Sequence, residues 1–346
     1  MQHPFFQPDG RGSGAARLLQ ALRMDLSRSE FDALALDLLR QQAATVPPYT
    51  RLLRALAIDP ARCASWTDFP ALPASAFRDG PVCGFDPAQA AAVFETSGTT
   101  GRHSGRHYLA STLFYEAALR TAFHAFMPPL GRHAWVMLVP HPSLRPHSSL
   151  AYMLGCLAPP DAAWCCSADY HIDGARLRAA CRTPSRPVAL FGTSFALADA
   201  AEAHPTRLPP GSIAFDTGGM KGRRRQLARD EFLALLHSAF GLSPASIWNE
   251  YGMTEWSSQG YACMDDGLHR FPPWLRIRVL DPATGRECPP GTQGIVHACD
   301  LANAGSVAAV ATRDAARWES SARGPGLRLL GRWDGAEPRG CSLPYE

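Results

Sequence analysis

The sequence contains almost no lysine. Lys221 is the single lysine among the 34 lysine and arginine residues of the 346-residue chain. A GC-rich genome places arginine wherever a surface positive charge suffices, and this bias alone explains the scarcity. A lysine that persists under that bias is a candidate for a role that arginine cannot fill, because its ammonium is compact and the guanidinium is a planar fork.

Other absences exclude whole classes of protein. No apolar run reaches the roughly 18 residues that a membrane-spanning helix needs, and the N-terminus lacks the order of a signal peptide. The 10 cysteines have no metal-ligand spacing, so we expect reduced thiols in the cytoplasm. The net charge is only +3 and the longest basic run is Arg223–Arg225, which argues against a nucleic-acid partner.

Alternating strand-like and helix-like segments predict an α/β fold. Their order is typical of a mainly parallel sheet with helices on its faces. The strands are predicted at residues 134–140, 187–193, 212–217 and 245–252, and two of the helices at 111–126 and 224–240. We expect three parts: an N-terminal helical region at 1–90, an α/β core at 91–270, and a β-rich subdomain with a C-terminal tail at 271–346.

Loops rich in glycine and polar residues follow the apolar runs. They lie at residues 96–106, 192–194, 216–222 and 250–256. Parallel sheets bind ligands in the loops beyond the carboxyl ends of their strands. We therefore expect these loops to share one ligand site.

The loop at residues 96–101 reads Thr-Ser-Gly-Thr-Thr-Gly. Glycines let backbone N–H groups approach phosphate oxygens closely, and the hydroxyls add further donors. Arg102 and Arg106 would supply positive charge nearby. The loop is not a Walker P-loop, because no Gly-Lys-Ser/Thr follows at the required spacing. An ordinary surface loop remains the alternative on these residues alone.

Two motifs, in compatible order and spacing, resemble those of the adenylate-forming superfamily, which includes acyl-CoA synthetases and peptide-synthetase adenylation domains. The first is the loop at 96–101, and the second is Tyr-Gly-Met-Thr-Glu at 251–255. More narrowly, the chain resembles the LuxE-type acyl-protein synthetases over most of its length. The strings that carry this resemblance are FETSGTTG (94–101), HSSLAYM (147–153), FGTSF (191–195), DTGGMKGR (216–223), NEYGMTE (249–255) and GRWDGAEPRGCSL (331–343).

The resemblance implies an adenylate-forming N-terminal-type domain with a small β-rich C-terminal part. A large C-terminal lid domain is expected to be absent, since the chain ends twelve residues after Asp334. The implied reaction uses ATP and Mg²⁺ to activate a carboxylic acid, expected to be a fatty acid, as acyl-AMP with release of pyrophosphate. The acyl group then passes to an enzyme cysteine and on to a partner such as an acyl reductase.

The resemblance also implies roles for individual residues. Those expected to bind ATP or AMP are Thr96, Ser97, Gly98, Thr99, Thr100, Gly101, Gly218, Gly219, Tyr251, Gly252, Thr254, Asp314 and Arg332. Within this set, Tyr251 and the backbone of Gly218 and Gly219 would lie near adenine. Asp314 and Arg332 would lie near the ribose, although Arg313 stands where the superfamily usually has glycine. Glu255 would help to hold Mg²⁺, a hard cation that binds carboxylates and phosphates.

Cys341 and Lys221 complete the expected catalytic set with Glu255. Cys341 matches the acyl-accepting cysteine of the family, and the cation of Arg339 beside it would favour the thiolate. A thioester would divide the transfer into two easier steps. Related enzymes with a lid domain carry their catalytic lysine there, so Lys221 is the only lysine available to stabilise the α-phosphate. A structural or nucleotide-edge contact is the alternative for Lys221.

Other residues are weaker candidates. His107, His141 and His147 are candidate acid–base or pocket residues, although most lone histidines are neither. Core packing is the alternative for the residues that would line an acyl pocket, which are Tyr152, Met153, Phe191 and Trp248. Ser148 and Ser149 match the family string and are also suited to capping a helix.

Two alternatives to self-acylation stay open on the sequence. One is an adenylating ligase that passes the acyl group to CoA, a carrier protein or another acceptor. The other is a nucleotide-binding protein without turnover, for which the expected absence of the lid-domain lysine argues. The sequence does not indicate the length of the acid.

Overall fold

A computed structural model describes residues 13–96, 104–182, 186–218 and 227–333 of the chain. The helices are α1 (Ser13–Ala21), α2 (Arg28–Thr45), α3 (Pro47–Ala55), α4 (Ala76–Asp79), α5 (Leu113–Phe126), α6 (Ser149–Leu157), α7 (Gly174–Cys181), α8 (Ser194–Ala203) and α9 (Arg229–Phe240). The strands are β1 (Leu72–Pro73), β2 (Ala92–Glu95), β3 (Arg106–Leu109), β4 (Ala134–Leu138), β5 (Ala163–Trp164), β6 (Val188–Gly192), β7 (Ile213–Asp216), β8 (Ile247–Tyr251), β9 (Gly260–Cys263), β10 (Leu275–Leu280), β11 (Gly294–Asp300), β12 (Ala309–Ser321) and β13 (Gly324–Arg332).

The larger sheet has six strands in the order β5-β4-β6-β7-β8-β9. All neighbouring pairs are parallel except β8 and β9, which are antiparallel. The strands and helices predicted from the apolar periodicity are therefore confirmed, with ends that differ by at most five residues. The carboxyl ends of β6, β7 and β8 lie side by side, which brings three of the predicted loops together.

Helices cover both faces of this sheet. On one face Phe123 of α5 packs against Phe191 and Phe215, with ring centroids 6.5 and 5.8 Å away. On the other face residues of α7, α8 and α9, such as Leu177, Leu197 and Leu236, are fully buried with β6 and β7. A sheet covered on both faces needs strands that are apolar throughout, and all five residues of β6 are buried.

Local sequence sets the helix ends. The hydroxyl of Ser27 accepts a hydrogen bond from the Glu30 N–H, and the Glu30 carboxylate accepts one from the Ser27 N–H. This capping box satisfies two N–H groups that have no partner within helix α2. Ser148 caps helix α6 by accepting from the Ala151 N–H at 3.2 Å, in agreement with the capping role considered for it.

A second sheet is built mainly from the last part of the described chain. Strands β10, β11, β12 and β13 pair antiparallel. This agrees with the small β-rich C-terminal part that was expected from the sequence. Strand β1 joins this sheet by pairing parallel with β12. The N-terminal region therefore contributes backbone to the C-terminal sheet, and the three-part division stays a prediction.

Strands β2 and β3 form a separate antiparallel hairpin. This hairpin carries the loop that begins at Ser97, so that loop does not follow a strand of the six-stranded sheet. The pair is joined to the residues before α6 by two hydrogen bonds: Glu95 N–H donates to the His147 carbonyl at 2.8 Å, and His147 Nδ1 donates to the Val93 carbonyl at 3.1 Å.

Within the described ranges, no helix is both long and apolar enough to cross a membrane. The nine cysteines in those ranges are free thiols, and seven of them are buried. Burial raises the pKa of several of these thiols, including that of Cys165 to about 11 and that of Cys181 to about 12. These buried thiols stay protonated at neutral pH and are poor nucleophiles.

Candidate active site

Asp216 organises the carboxyl edge of the larger sheet. It is the last residue of β7 and is 1 % exposed. Its carboxylate accepts hydrogen bonds from Ser194 Oγ at 2.7 Å, from the Gly218 N–H at 2.9 Å and from Asn249 Nδ2 at 3.0 Å. These bonds tie together the loops after β6, β7 and β8, because each donor lies on or after a different one of these strands.

Gly218 begins the glycine turn that was expected to contact adenine. Its φ is +69°, a left-handed conformation that glycine adopts without the steric cost borne by other residues. The bond from its N–H to Asp216 fixes this conformation. Sequence and structure therefore agree that a close backbone turn stands here, and its contact with adenine stays a prediction.

His269 extends this network from the opposite side. Its Nε2 donates to Asn249 Oδ1 at 2.8 Å, which leaves the Asn249 amide nitrogen to donate to Asp216. Burial lowers the pKa of His269 to about 3, so the ring is neutral at physiological pH. The network is thus a chain of neutral donors that ends on one buried carboxylate.

Tyr251 and Asp314 join the two sheets at the same edge. Tyr251 ends β8 and its hydroxyl donates to Asp314 Oδ2 at 2.8 Å. Asp314 lies in β12 directly opposite Arg332 in β13, and Arg332 NH1 is 3.0 Å from Asp314 Oδ1. The structure therefore brings three of the predicted nucleotide residues into one buried cluster.

The environment of this cluster is dry. Asp314 and Tyr251 are each 1 % exposed, and the Arg332 side chain is 17 % exposed. The Tyr251 ring also meets the rings of Trp256 and His269 edge-on. Burial and the Asp314 charge raise the Tyr251 pKa well above its usual value, so the phenol remains a hydrogen-bond donor at all physiological pH values.

Thr254 and Glu255 lie just after β8, and each is 7 % exposed. Gly252 precedes them at a crowded position, where a Cβ would overlap the Glu250 carboxylate. The predicted motif at 251–255 starts at Tyr251 in this cluster, and Thr254 and Glu255 are buried like Tyr251, while Gly252 and Met253 are half-buried. Among the described residues there is no group of three or more His, Cys, Asp or Glu side chains that could hold a metal ion.

Thr96 marks the base of the predicted phosphate loop. Its N–H donates to the Gly105 carbonyl at 2.8 Å, and its Oγ1 accepts from the Gly105 N–H at 2.8 Å. These two bonds join Thr96 and Gly105, which lie on the two sides of the loop. The other predicted residues of this loop, and three more predicted site residues, lie outside the described residues: Ser97, Gly98, Thr99, Thr100, Gly101, Gly219, Lys221 and Cys341.

Sequence reasoning did not identify Asp216, Asn249 and His269 as site residues. Asp216 and Asn249 stand inside two of the family strings, DTGGMKGR and NEYGMTE. A polar residue at the end of an otherwise apolar strand is a sign that could have found Asp216. His269 carried no such sign, because it comes from the segment after β9 and its partner is 20 residues away.

The remaining candidates fall into packing or capping positions. His141 Nδ1 lies 2.8 Å from Ser143 Oγ at a surface turn. Phe191 is fully buried in the core under α5. The Tyr152 ring packs against Phe94, and its hydroxyl donates to Glu116 Oε1 at 2.6 Å.

Comparison with known proteins gives a partial family match and a shared fold. Residues 190–345 match the family described as acyl-protein synthetase, LuxE. This range contains the described residues Asp216, Tyr251, Asp314 and Arg332. No protein of curated function matches the sequence.

Solved structures of 2-hydroxyisobutyryl-CoA ligase share the fold. Its open conformation in complex with 2-HIB-AMP and CoA is 18 % identical, with a TM-score of 0.61 over 91 % of this chain and 78 % of that chain. Its postadenylation state with 2-HIB-AMP is 18 % identical, with a TM-score of 0.60 over 91 % and 70 % of the two chains. Its thioesterification state with 2-HIB-AMP and CoA is 19 % identical, with a TM-score of 0.61 over 91 % and 71 %.

These two findings agree with the motifs. Identities of 18–19 % establish the fold alone, and the family match is confined to residues 190–345, less than half of the chain. The chain therefore has the α/β fold of adenylate-forming ligases, and its resemblance to the LuxE acyl-protein synthetases is confirmed over residues 190–345.

Proposed function

We propose that this chain is an ATP-dependent acyl-protein synthetase of the cytoplasm. In the proposed reaction it activates a carboxylic acid, most simply a fatty acid, as acyl-AMP and then carries the acyl group on Cys341. The observation that carries the proposal is the buried cluster of Tyr251, Asp314 and Arg332 beside the Thr254–Glu255 turn. Three residues that the resemblance marks as nucleotide ligands lie in contact there.

The first half-reaction forms an acyl-adenylate. A carboxylate oxygen of the acid attacks the α-phosphorus of ATP, and the bond to the β-phosphate oxygen breaks, which releases pyrophosphate. The barrier is dominated by repulsion between the two anions, so hydrogen-bond donors and cations must be in place beforehand. The loop at 96–101 and the Lys221 ammonium are proposed to supply them, while the Asp314 carboxylate accepts the ribose hydroxyls.

Mg²⁺ fits the residues that are present. Magnesium is usually held by one or two carboxylates together with substrate phosphates, rather than by a cage of protein ligands. Glu255 offers one such carboxylate in a turn next to Thr254. A site without a cluster of three acidic or imidazole ligands among the described residues is consistent with this mode. When bound, the ion would neutralise charge on the triphosphate.

The second half-reaction moves the acyl group to sulfur. The Cys341 thiolate attacks the acyl carbonyl, a thioester bond forms, and the bond from that carbonyl carbon to the AMP oxygen breaks. AMP leaves with the charge that the thiolate brought. The thioester is then available to a partner such as an acyl reductase or to another acceptor.

Intact-protein mass spectrometry tests this proposal directly. Wild type is incubated with ATP, magnesium and a panel of acids that includes fatty and short-chain acids. The expected result is a hydroxylamine-labile mass increase equal to one acyl group, which is lost in Cys341→Ala. Cys288→Ala is the control, because Cys288 is only partly buried and is not expected to react.

The other outcomes discriminate between the alternatives. Pyrophosphate release that survives Cys341→Ala, without an adduct, would replace self-acylation by transfer to CoA, a carrier protein or another acceptor. Nucleotide binding without pyrophosphate release for any acid of the panel would overturn the ligase assignment. Glu255→Gln should reduce the magnesium-dependent affinity for ATP and leave the affinity for AMP without magnesium nearly unchanged.

A further inference from the structure

The main chain of Thr254 and Glu255 is held from two sides. The Thr254 carbonyl accepts a hydrogen bond from His107 Nδ1 at 2.8 Å, and the Glu255 carbonyl accepts one from Asn303 Nδ2 at 2.8 Å. The donors come from distant parts of the chain, 147 and 48 residues away. Two successive carbonyls of the motif are thus fixed by side chains that do not belong to any strand of the six-stranded sheet.

His107 is built into this position. It lies in β3, directly opposite Phe94 of β2, and is fully buried. Its ring meets the Phe77 ring edge-on at a centroid distance of 5.7 Å. A carbonyl can only accept, so Nδ1 must carry the proton and Nε2 is an unprotonated acceptor. Burial lowers the His107 pKa to about 4, which keeps this neutral tautomer over the physiological range.

The same two donors, His107 and Asn303, line one small crevice. His107, Ser111, Tyr115, Ser257 and Asn303 are among its lining residues. His107 Nε2 is buried and has no hydrogen-bond partner among the described residues. One imidazole nitrogen thus donates to the Thr254 carbonyl, and the other makes no hydrogen bond within the described residues.

The hairpin that carries His107 also carries the loop expected to bind phosphate. Only Gly105 and Arg106 separate His107 from Ser104, where the described part of the hairpin resumes after that loop. The His107–Thr254 bond therefore links strand β3 of this hairpin to the Thr254–Glu255 turn through the buried core. An interaction that fixes the main chain of a ligand-binding turn beforehand reduces the reorganisation needed on binding.

We propose that His107 is a positioning residue, which sets the main chain of Thr254 so that Thr254 engages the nucleotide. This inference rests on the proposed function for its kinetic consequence, although the hydrogen bond itself does not. His107 is not proposed to touch the substrate or to exchange a proton with it. Its role is carried entirely by the Nδ1–H donor.

Two conservative replacements separate this role from simple packing. In His107→Asn the amide Nδ2 can occupy the place of Nδ1 and keep the donor. In His107→Gln the amide lies one bond further out, near the place of Nε2, and in His107→Leu the donor is lost. His133→Asn is the matched control, since His133 also bonds a backbone carbonyl, that of Gly211, at 3.0 Å but at the other end of the sheet.

The first measurement is the ATP–pyrophosphate exchange rate of each variant. His107→Leu and His107→Gln should lower kcat/KM for ATP by about 10-fold or more, mainly through KM, because a buried carbonyl loses its partner. His107→Asn should recover most of this loss, and His133→Asn should show none. Equal kcat/KM values in all four variants, or a loss in His107→Asn as large as in His107→Leu, would overturn the proposal.

A second measurement does not depend on turnover. Hydrogen–deuterium exchange of the peptide that covers residues 250–257 should be faster in His107→Leu than in wild type and unchanged in His107→Asn. If wild type itself releases no pyrophosphate, the proposed function fails, while this exchange pattern still decides whether His107 holds the turn. Exchange that is unaltered in His107→Leu would reject the positioning role whatever the activity.

Discussion

The Tyr251 hydroxyl donates to Asp314 Oδ2 at 2.8 Å and so joins the last residue of β8 to the middle of β12, 63 residues later in the chain. The two strands belong to different sheets. The bond is charge-assisted and buried, conditions under which hydrogen bonds contribute most. Tyr251 therefore sets the orientation of the carboxylate that is proposed to receive the ribose.

Replacement of Tyr251 by phenylalanine should weaken ATP binding without unfolding the chain. The ring packing is kept and only the donor to a charged acceptor is lost, which corresponds to about 1.5–3 kcal/mol. We expect KM for ATP in the pyrophosphate-exchange assay to rise by roughly 10-fold to 100-fold. Tyr49→Phe is the control, because the Tyr49 hydroxyl donates to the Pro70 carbonyl far along the chain from these motifs.

The Asp314–Arg332 pair should affect stability and binding differently. Removing one partner of a buried pair leaves a buried charge uncompensated, so Arg332→Met should lower the free energy of unfolding by about 2–4 kcal/mol. The double variant with Asp314→Asn should regain most of that stability and still bind ATP poorly. Urea unfolding and nucleotide titration measure the two effects separately.

An exposed pair provides the comparison for this experiment. Arg28 and Asp32 lie 4.0 Å apart on α2, with side chains that are 88 % and 46 % exposed. Arg28→Met should change the free energy of unfolding by less than about 0.5 kcal/mol. A similar small effect for Arg332→Met would contradict the view that the Asp314 charge depends on Arg332.

The sequence predicted most of the larger sheet because its strands are short apolar runs between helical segments. Strand β7, for example, was expected at 212–217 and spans Ile213–Asp216. The pairing of β1 with β12 was not predictable in this way. A two-residue strand in a proline-rich connection has no periodicity, and its partner lies more than 200 residues away.

Only those residues of the candidate site that belong to recognised motifs were predictable from the sequence. Asp314 and Arg332 were expected near one nucleotide, and the structure brings them into contact through the register of β12 and β13. The bonds from His107 and Asn303 to the turn after β8 follow from tertiary packing. Neither residue belongs to a recognisable motif, since a single buried hydrogen-bond donor produces no periodic pattern in a sequence.

Buried histidines should make the fold sensitive to acid. The pKa of His107 is lowered to about 4 and that of His269 to about 3 by burial, against an ordinary value of 6.5. The folded state therefore binds fewer protons than the unfolded state below pH 6.5, and stability is lost as the pH falls. His297, whose pKa is lowered to about 4, acts in the same direction.

Asp300 opposes this trend in the same pH window. Burial raises its pKa to about 6 from 3.8, so its protonation favours the folded state as the pH falls from 6 to 4. Near pH 5 the three histidines minus Asp300 leave a difference of about two protons, or about 2.8 kcal/mol per pH unit. Urea unfolding between pH 7 and pH 5 measures this slope.

Two variants check the origin of the slope. His269→Gln keeps a donor toward Asn249 and removes one titrating group, so the fall in stability with acid should become shallower. Asp300→Asn removes the opposing group and should make the fall steeper, even though its overall stability is lower. A slope that neither variant changes would show that other groups control the acid response.

The single lysine offers a direct test of the proposed nucleotide contact. An amine-acetylating reagent can modify only the N-terminal amine and Lys221, so intact mass reports a gain of at most two amine acetyl groups and peptide mapping assigns them. If Lys221 stabilises the α-phosphate, ATP with magnesium should slow its acetylation by several-fold and leave the N-terminal amine unaffected.

Lys221→Arg keeps the charge but not the compact ammonium, and it should lower the rate of pyrophosphate exchange by roughly 10-fold or more. Equal acetylation of Lys221 with and without ATP, together with an unaltered exchange rate in Lys221→Arg, would show that Lys221 does not stabilise the α-phosphate.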